Sequence, residues 1–323
     1  MTSTVPSPVG RVPLAEALAR SVLVLDGGMS NQLEAAGYDL SDALWSARLL
    51  ADAPEAVTAV HRAYYRAGAQ VAITASYQAS FQGFAEVGIG RAAAERLLRR
   101  SVRLARAAAV EAEAADGAGG ADDTPGGGHG RWVAASVGPY GAVLADGSEY
   151  RGRYGLSVAE LERFHRPRAE VLASAGPDVL ALETVPDADE AEAMLRAVAR
   201  LDVPVWLSYS VAGGHTRAGQ SLEQAFGLVA GVDQVVAVGV NCCPPGEVAD
   251  AVALAAAVTG KPVVVYPNSG ETWDARARAW VGPATFDAES VGTWTGAGAR
   301  LVGGCCRVGV DRIAALAGTL RGR

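Results

Sequence analysis

The chain contains four cysteines, Cys242, Cys243, Cys305 and Cys306. They come as two pairs, at the ends of the apolar runs "VAVGVNCC" and "ARLVGGCC", more than sixty residues apart. A protein this poor in sulfur that ends two similar runs in cysteine pairs is placing thiols at a common edge. Thiolates bind zinc at about 2.3 Å, and three of them leave a fourth position open, the arrangement of a reactive rather than a structural site. Neighbouring residues of a regular strand point to opposite faces. Cys305 and Cys306 can therefore share one metal only where the chain leaves the pleat, and Gly303-Gly304 just before them supply backbone freedom. Plainer readings exist. A free cysteine is often a small buried hydrophobe, Cys305 and Cys306 could form a vicinal disulfide in an oxidising compartment, and "GG" after a last strand could cradle a phosphate. Only the metal reading accounts for both pairs at once.

Other reactive types are scarce. Lys261 is the sole lysine and precedes an apolar run instead of ending one, so a Schiff-base mechanism lacks a nucleophile. The four histidines form no triad. His61 and His165 fall in helical patterns and read as packing residues, His129 lies in a polar loop, and His215 follows a strand in "VAGGHTRAGQ".

The elements that must position these groups alternate. Eight β-rich apolar runs cover 22–28, 71–76, 132–140, 179–185, 204–211, 235–242, 262–270 and 299–306. Helical spacing separates them, as in 54–69, 158–176 (where Pro167 predicts a kink or break) and 187–201, whose acidic first turn and late arginine suit the helix dipole. Near-continuous apolar strands separated by helices predict a parallel sheet covered on both faces. Eight such units in 323 residues predict a (β/α)8 TIM barrel, a single domain over 1–323, with a doubly wound sheet as the alternative. A Gly-, Asp- and Pro-rich segment at 117–130 reads as a flexible surface loop. Barrel chemistry sits at the C-terminal strand ends. Those ends carry Asp26-Gly27-Gly28, Thr74, Pro139-Tyr140, Glu183-Thr184, Tyr209, Asn241-Cys242, Tyr266 and Cys305-Cys306, so the zinc site is expected there. The net charge of −7 argues against a nucleic-acid partner. The start of the chain does not read as a signal peptide, and no apolar run reaches the roughly 18 residues that span a bilayer. A cytoplasmic protein with free thiols and no membrane partner is expected, as a monomer.

"LDGGMSNQLE", "ITASYQASFQGF", "SVGPYGAVLADGSEYRGRYG", "LALETVPDADE", "GVNC", "VVVYPNSGE" and "VGGCC" together resemble the homocysteine S-methyltransferase family, in the family's order and over roughly 20–320. The third and sixth of these stretches resemble the branch that uses S-methylmethionine or S-adenosylmethionine. A longer C-terminal dimerisation segment, as in the betaine-using branch, is absent, as are cobalamin and folate modules. The resemblance implies Zn2+ as cofactor, held by Cys242, Cys305 and Cys306, and leaves Cys243 as a departure from the pattern. It implies that Asp26 and Glu183 hold the amino group of homocysteine, that the amides of Gly27 and Gly28 with Thr74 take its carboxylate, and that Asn241 orients the site.

The implied reaction moves a methyl group from a sulfonium to the homocysteine thiol, giving methionine. A betaine- or selenocysteine-using enzyme of the same fold, or a noncatalytic zinc- or thiol-binding protein, are the rival readings. A thiol of pKa about 8.5 is already a few per cent ionised at pH 7, so full ionisation gains only about 30-fold. Alignment of sulfur, methyl and leaving group, worth up to about 7–11 kcal/mol, must supply most of the acceleration. Asp26 and Glu183 are accordingly positioning groups, and no general base is required.

Overall fold

The structure is a computed structural model that describes residues 12–40, 44, 46–118, 130–274 and 279–322. Eight parallel strands form its centre: β1 (Leu23–Val24), β2 (Val71–Ile73), β3 (Trp132–Val137), β4 (Val179–Val185), β5 (Val205–Tyr209), β6 (Val235–Asn241), β7 (Val263–Tyr266) and β8 (Ala299–Val302). They pair in the order β1-β8-β7-β6-β5-β4-β3-β2. A parallel bridge between Leu25 and Val71 brings the two ends of this sheet together. The result is a (β/α)8 TIM barrel, with each of the eight expected runs supplying one strand.

The strands are buried along their length because both faces pack. Val133, Leu180, Leu182, Leu207, Val238 and Val265 face the surrounding helices. Trp132, Ala134, Val179, Ala181, Trp206, Ala237, Val264 and Leu301 fill the interior, and Leu14, Ala17 and Leu18 of the helix Leu14–Arg20 join them. The period of two then places a polar residue on the interior face above each apolar layer. Trp132 and Ala134 lead to Ser136, Val179 and Ala181 to Glu183, Trp206 to Ser208, Ala237 to Asn241, and Val264 to Tyr266. A dry floor and a polar mouth follow from alternation alone.

The expected helices form as Pro54–Arg66, Val158–Ala173 and Ala188–Val198, the last capped by the Asp187 side chain on Asp189 N. The break expected at Pro167 does not occur; one helix runs through it, opened by a Ser157–Glu160 capping box. Proline removes one backbone donor, and the buried face of Leu161, His165, Arg168, Ala169 and Leu172 keeps the turns together. Two short hairpins add to the strand ends, Val211–Ala212 with His215–Thr216 and Thr272–Asp274 with Ala279–Val281. The segment read as a flexible loop, His129 included, lies outside the described residues over 119–129. Among the described residues no helix is long and apolar enough to cross a membrane.

Candidate active site at the barrel mouth

The two cysteine loops meet. The ligand atoms of Cys242, Cys305 and Cys306 all lie within 4.8 Å of one another. Cys242 Sγ is 3.7 Å from Cys306 Sγ, and Cys305 Sγ is 4.0 Å from Cys306 Sγ. Sulfurs at about 2.3 Å from a tetrahedral zinc stand about 3.8 Å apart, so the cluster has the dimensions of a three-thiolate metal site. Hydrogen bonds from Cys305 and Cys306, then from the Tyr150 hydroxyl, hold the Cys242 thiol well below its usual value. The bond to Cys242 pushes Cys305 and Cys306 up. Unaided, the cluster therefore carries one negative charge readily and resists the second. A dication is what allows all three to ionise.

Local backbone explains how adjacent residues converge. Cys242 has φ +49°, a left-handed conformation unusual for a side-chain-bearing residue. This turn separates it from Cys243, which is fully buried in the outer apolar layer, its thiol pushed up by burial. β8 ends at Val302, so Gly303–Cys306 has already left the pleat. Gly303 and Gly304 matter here for space, not for the conformational freedom expected of them. A Cβ on Gly303 would meet Leu25 Cβ at 2.7 Å, and one on Gly304 would meet Val308 Cγ1 at 2.1 Å. The "YPNSGE" stretch braces both cysteine loops: Cys305 N–H donates to Pro267 O, Ser269 N–H to Cys306 O, and Asn268 N–H to Cys243 O.

Two carboxylates occupy the mouth beside the sulfurs. Asp26, 2% exposed, accepts from Ile73 N–H through Oδ2 at 2.9 Å and leaves Oδ1 without a partner. Burial, reinforced by the charge of Glu183, raises its pKa well above the usual range. Glu183 accepts from the Ser136 hydroxyl and is hydrogen-bonded to Tyr266; burial pushes it up to about 7. A shift of register in β4 between Leu182 and Val185, with Thr184 at φ +58°, turns the chain at this acid. Two buried acids therefore interact at the mouth, and one of their oxygens has no hydrogen-bond partner.

Two of the groups expected to take the carboxylate also bond within the protein. Gly28 N–H donates to Val308 O at 3.0 Å. The Thr74 hydroxyl bonds Ser76 Oγ at 2.7 Å and accepts from Ser136 N–H at 3.0 Å. These bonds tie the β1 loop to the loop after β8 and the end of β2 to β3. Gly27 is required for close packing, since a Cβ there would meet Val308 O at 2.2 Å.

Comparison with known proteins now bears on this geometry. The model of the homocysteine S-methyltransferase family matches residues 23–320. The chain belongs to the homocysteine S-methyltransferase family. A homocysteine S-methyltransferase of Escherichia coli is 45% identical over 302 residues, 92% of this chain and 94% of that protein. One of Bacillus subtilis is 42% identical over 306 residues, covering 93% and 95%. The solved structure of the Escherichia coli homocysteine methyltransferase MmuM in its metallated form superposes with a TM-score of 0.80 at 44% identity, covering 94% of this chain and 98% of that one. Methyl transfer to homocysteine comes with membership of this family.

For a homocysteine S-methyltransferase, the remaining strand-end residues divide into those at the mouth and those that support it. Asn241 is fully buried. Its Oδ1 accepts from Thr184 N–H at 2.8 Å and from the Ser208 hydroxyl at 2.7 Å, while Nδ2 donates to Thr184 Oγ1 at 2.7 Å. The two bonds to Thr184 tie it to the β4 turn. Tyr209 faces outward and donates to Ala225 O. Tyr140 packs on Tyr154 and Phe164. His165, held neutral by burial with its pKa lowered to about 4, bridges Glu190 and Arg168, and Arg168 in turn donates to Gly138 O. His215 is exposed on its hairpin and bonds Gly213 O.

The sequence reading placed Tyr266 at a strand end without giving it a role, and missed Ser136, Tyr77, Glu149 and Tyr150. The interior alternation of β3 would have marked Ser136. Tyr150 reaches Cys242 Sγ at 3.1 Å from the excursion after β3, and Arg217 stacks over its ring at 5.6 Å.

Proposed function

We propose that this homocysteine methyltransferase uses zinc, held by Cys242, Cys305 and Cys306, and takes its methyl group from a sulfonium donor. The observation that carries the proposal is the sulfur triangle, whose separations of 3.7 and 4.0 Å match those of tetrahedral thiolate–zinc sites. The metallated form of the Escherichia coli relative supports a metal here as well. Zinc bound there would accept the homocysteine thiol at its open position and remove the thiol proton.

The chain's own residues do the rest. Asp26 Oδ1 and the Glu183 carboxylate receive the homocysteine ammonium, with Ser136 and Tyr266 fixing Glu183. Tyr150 donates to Cys242 and keeps that ligand in place. Asn241 holds the β4 turn that carries Glu183. The methyl group passes from donor sulfur to acceptor thiolate. A new S–CH3 bond forms, the old one breaks, and its electron pair stays on the donor, which leaves as a neutral thioether. Because charges cancel as the bond forms, orientation dominates catalysis, consistent with side chains that position and none that shuttles a proton.

The test incubates zinc-loaded protein and homocysteine with S-methylmethionine, S-adenosylmethionine or betaine, and measures methionine. Methionine from a sulfonium donor and none from betaine is the expected result. Turnover with betaine alone would overturn the donor assignment.

A further inference from the structure

The mouth holds a third buried carboxylate that the acceptor does not use. Glu149 lies in the short helical turn Ser148–Tyr150, which follows the helix Tyr140–Leu144. It is 9% exposed, and its Oε2 has no hydrogen-bond partner. The turn is fixed from behind. Asp146 Oδ1 accepts from Ser148 N–H at 2.9 Å, and the backbone at Glu149 N lies so close to Gly141 that a Cβ there would meet it at 2.4 Å. In front, Glu149 acts electrostatically on Cys242, Cys306 and Tyr77. Its cationic neighbour Arg151 has a 64% exposed side chain and pairs with Asp146. No buried cation of the protein serves Glu149 among the described residues.

An unpartnered carboxylate kept beside a cluster of thiolates is costly unless a cation comes to it. We propose that Glu149 is the specificity-determining contact for the donor's sulfonium centre, with the rings of Tyr77 and Tyr150 beside it. The inference rests on the methyl-transfer reading above and names the donor side of that site. Asp26 and Glu183 are committed to the acceptor ammonium. In-line transfer requires the methyl about 3–3.5 Å from the acceptor sulfur, which brings the positive donor sulfur close to the cysteines. The donor's own ammonium lies several bonds further away. The same contact separates substrate from product. A sulfonium is attracted to Glu149 and a neutral thioether is not, so the spent donor leaves more easily than the fresh donor. The attraction fades as the methyl departs, so it serves binding and not the chemical step.

The test compares parent, Glu149→Gln and Glu149→Asp proteins, with melting curves and zinc content recorded for each. S-methylmethionine binding is measured by calorimetry without acceptor. The KM for S-methylmethionine, the KM for homocysteine, and the inhibition constant of methionine competitive with the donor are measured in turnover. In Glu149→Gln the dissociation constant and KM for S-methylmethionine should rise about 10- to 100-fold, the worth of one charge-assisted contact. The methionine constant, the homocysteine KM and the zinc content should shift by less than about threefold. Glu149→Asp, which keeps the charge, should recover part of the loss. Equal weakening of S-methylmethionine and methionine, a selective rise in homocysteine KM, or loss of zinc would overturn the proposal. Parent protein that binds S-methylmethionine through Glu149 but forms no methionine would overturn the methyl-transfer reading and leave this inference standing. Parent protein that binds neither S-methylmethionine nor S-adenosylmethionine would overturn the inference.

Discussion

Asp26→Asn tests the acceptor pocket where its geometry is most specific. The amide keeps the shape and can still accept from Ile73 N–H, the bond made by Oδ2 at 2.9 Å. What it removes is the charge behind Oδ1, the buried oxygen without a partner. An ammonium facing that oxygen makes a charge-assisted hydrogen bond worth about 1.5–3 kcal/mol, or about 10- to 150-fold in kcat/KM. Glu183 already answers to Ser136 and Tyr266, so it compensates only in part. The assay pairs homocysteine with 4-mercaptobutanoate, the same thiol acid without its amino group, at constant zinc and donor. Homocysteine should lose the full factor and 4-mercaptobutanoate less than about threefold. The ligand-free variant should be no less stable than the parent, because burial disfavours the charge that is removed. Equal losses with both acceptors would show that Asp26 supports the β1 loop and not the ammonium, and the reasoning would fail.

Two further outcomes follow from the same geometry. Cys242→Ala should lose most of its zinc and its activity while the barrel stays folded, whereas Cys243→Ser, altering a thiol buried in the outer layer, should keep zinc and most activity; full zinc occupancy in Cys242→Ala would reverse the assignment. Glu183, pushed up to about 7 by burial, is protonated below that pH and then offers the ammonium no charge. Zinc with three thiolates carries a net negative charge, so it does not pull this acid down. The preference for homocysteine over 4-mercaptobutanoate should therefore rise as pH passes upward through about 7, and this rise should vanish in Glu183→Gln.

The barrel was legible because a strand buried on both faces must be apolar throughout, and eight such runs are separated by helical spacing. The cysteines were legible as partners because both pairs end those runs. Which three converge was carried by the "GVNC" and "GGCC" resemblance, since the left-handed turn at Cys242 is a tertiary outcome with no glycine to announce it. Gly28, Thr74 and Asn241 end strands, as the apolar runs implied, but the bonds that they make to Val308, Ser136 and Thr184 come from distant parts of the chain and had no signal in the sequence. Pro167 shows propensity overridden by packing. Glu149 and Tyr150 sit outside any periodic element, and only the folding of the excursion after β3 brings them to the sulfurs. Ser136 was readable in principle, as the polar step that follows apolar interior residues two positions earlier.

The central claim is that three cysteines hold a zinc whose open position receives the acceptor thiol. X-ray absorption at the zinc edge, on protein with and without homocysteine and without donor, tests it most directly. The account predicts three sulfurs at about 2.3 Å and one lighter atom in the free protein, becoming four sulfurs when homocysteine binds. Methionine, whose thioether has no proton to lose, should leave the three-sulfur pattern unchanged. A zinc environment that stays at three sulfurs with homocysteine bound, or that never contains three, would contradict it.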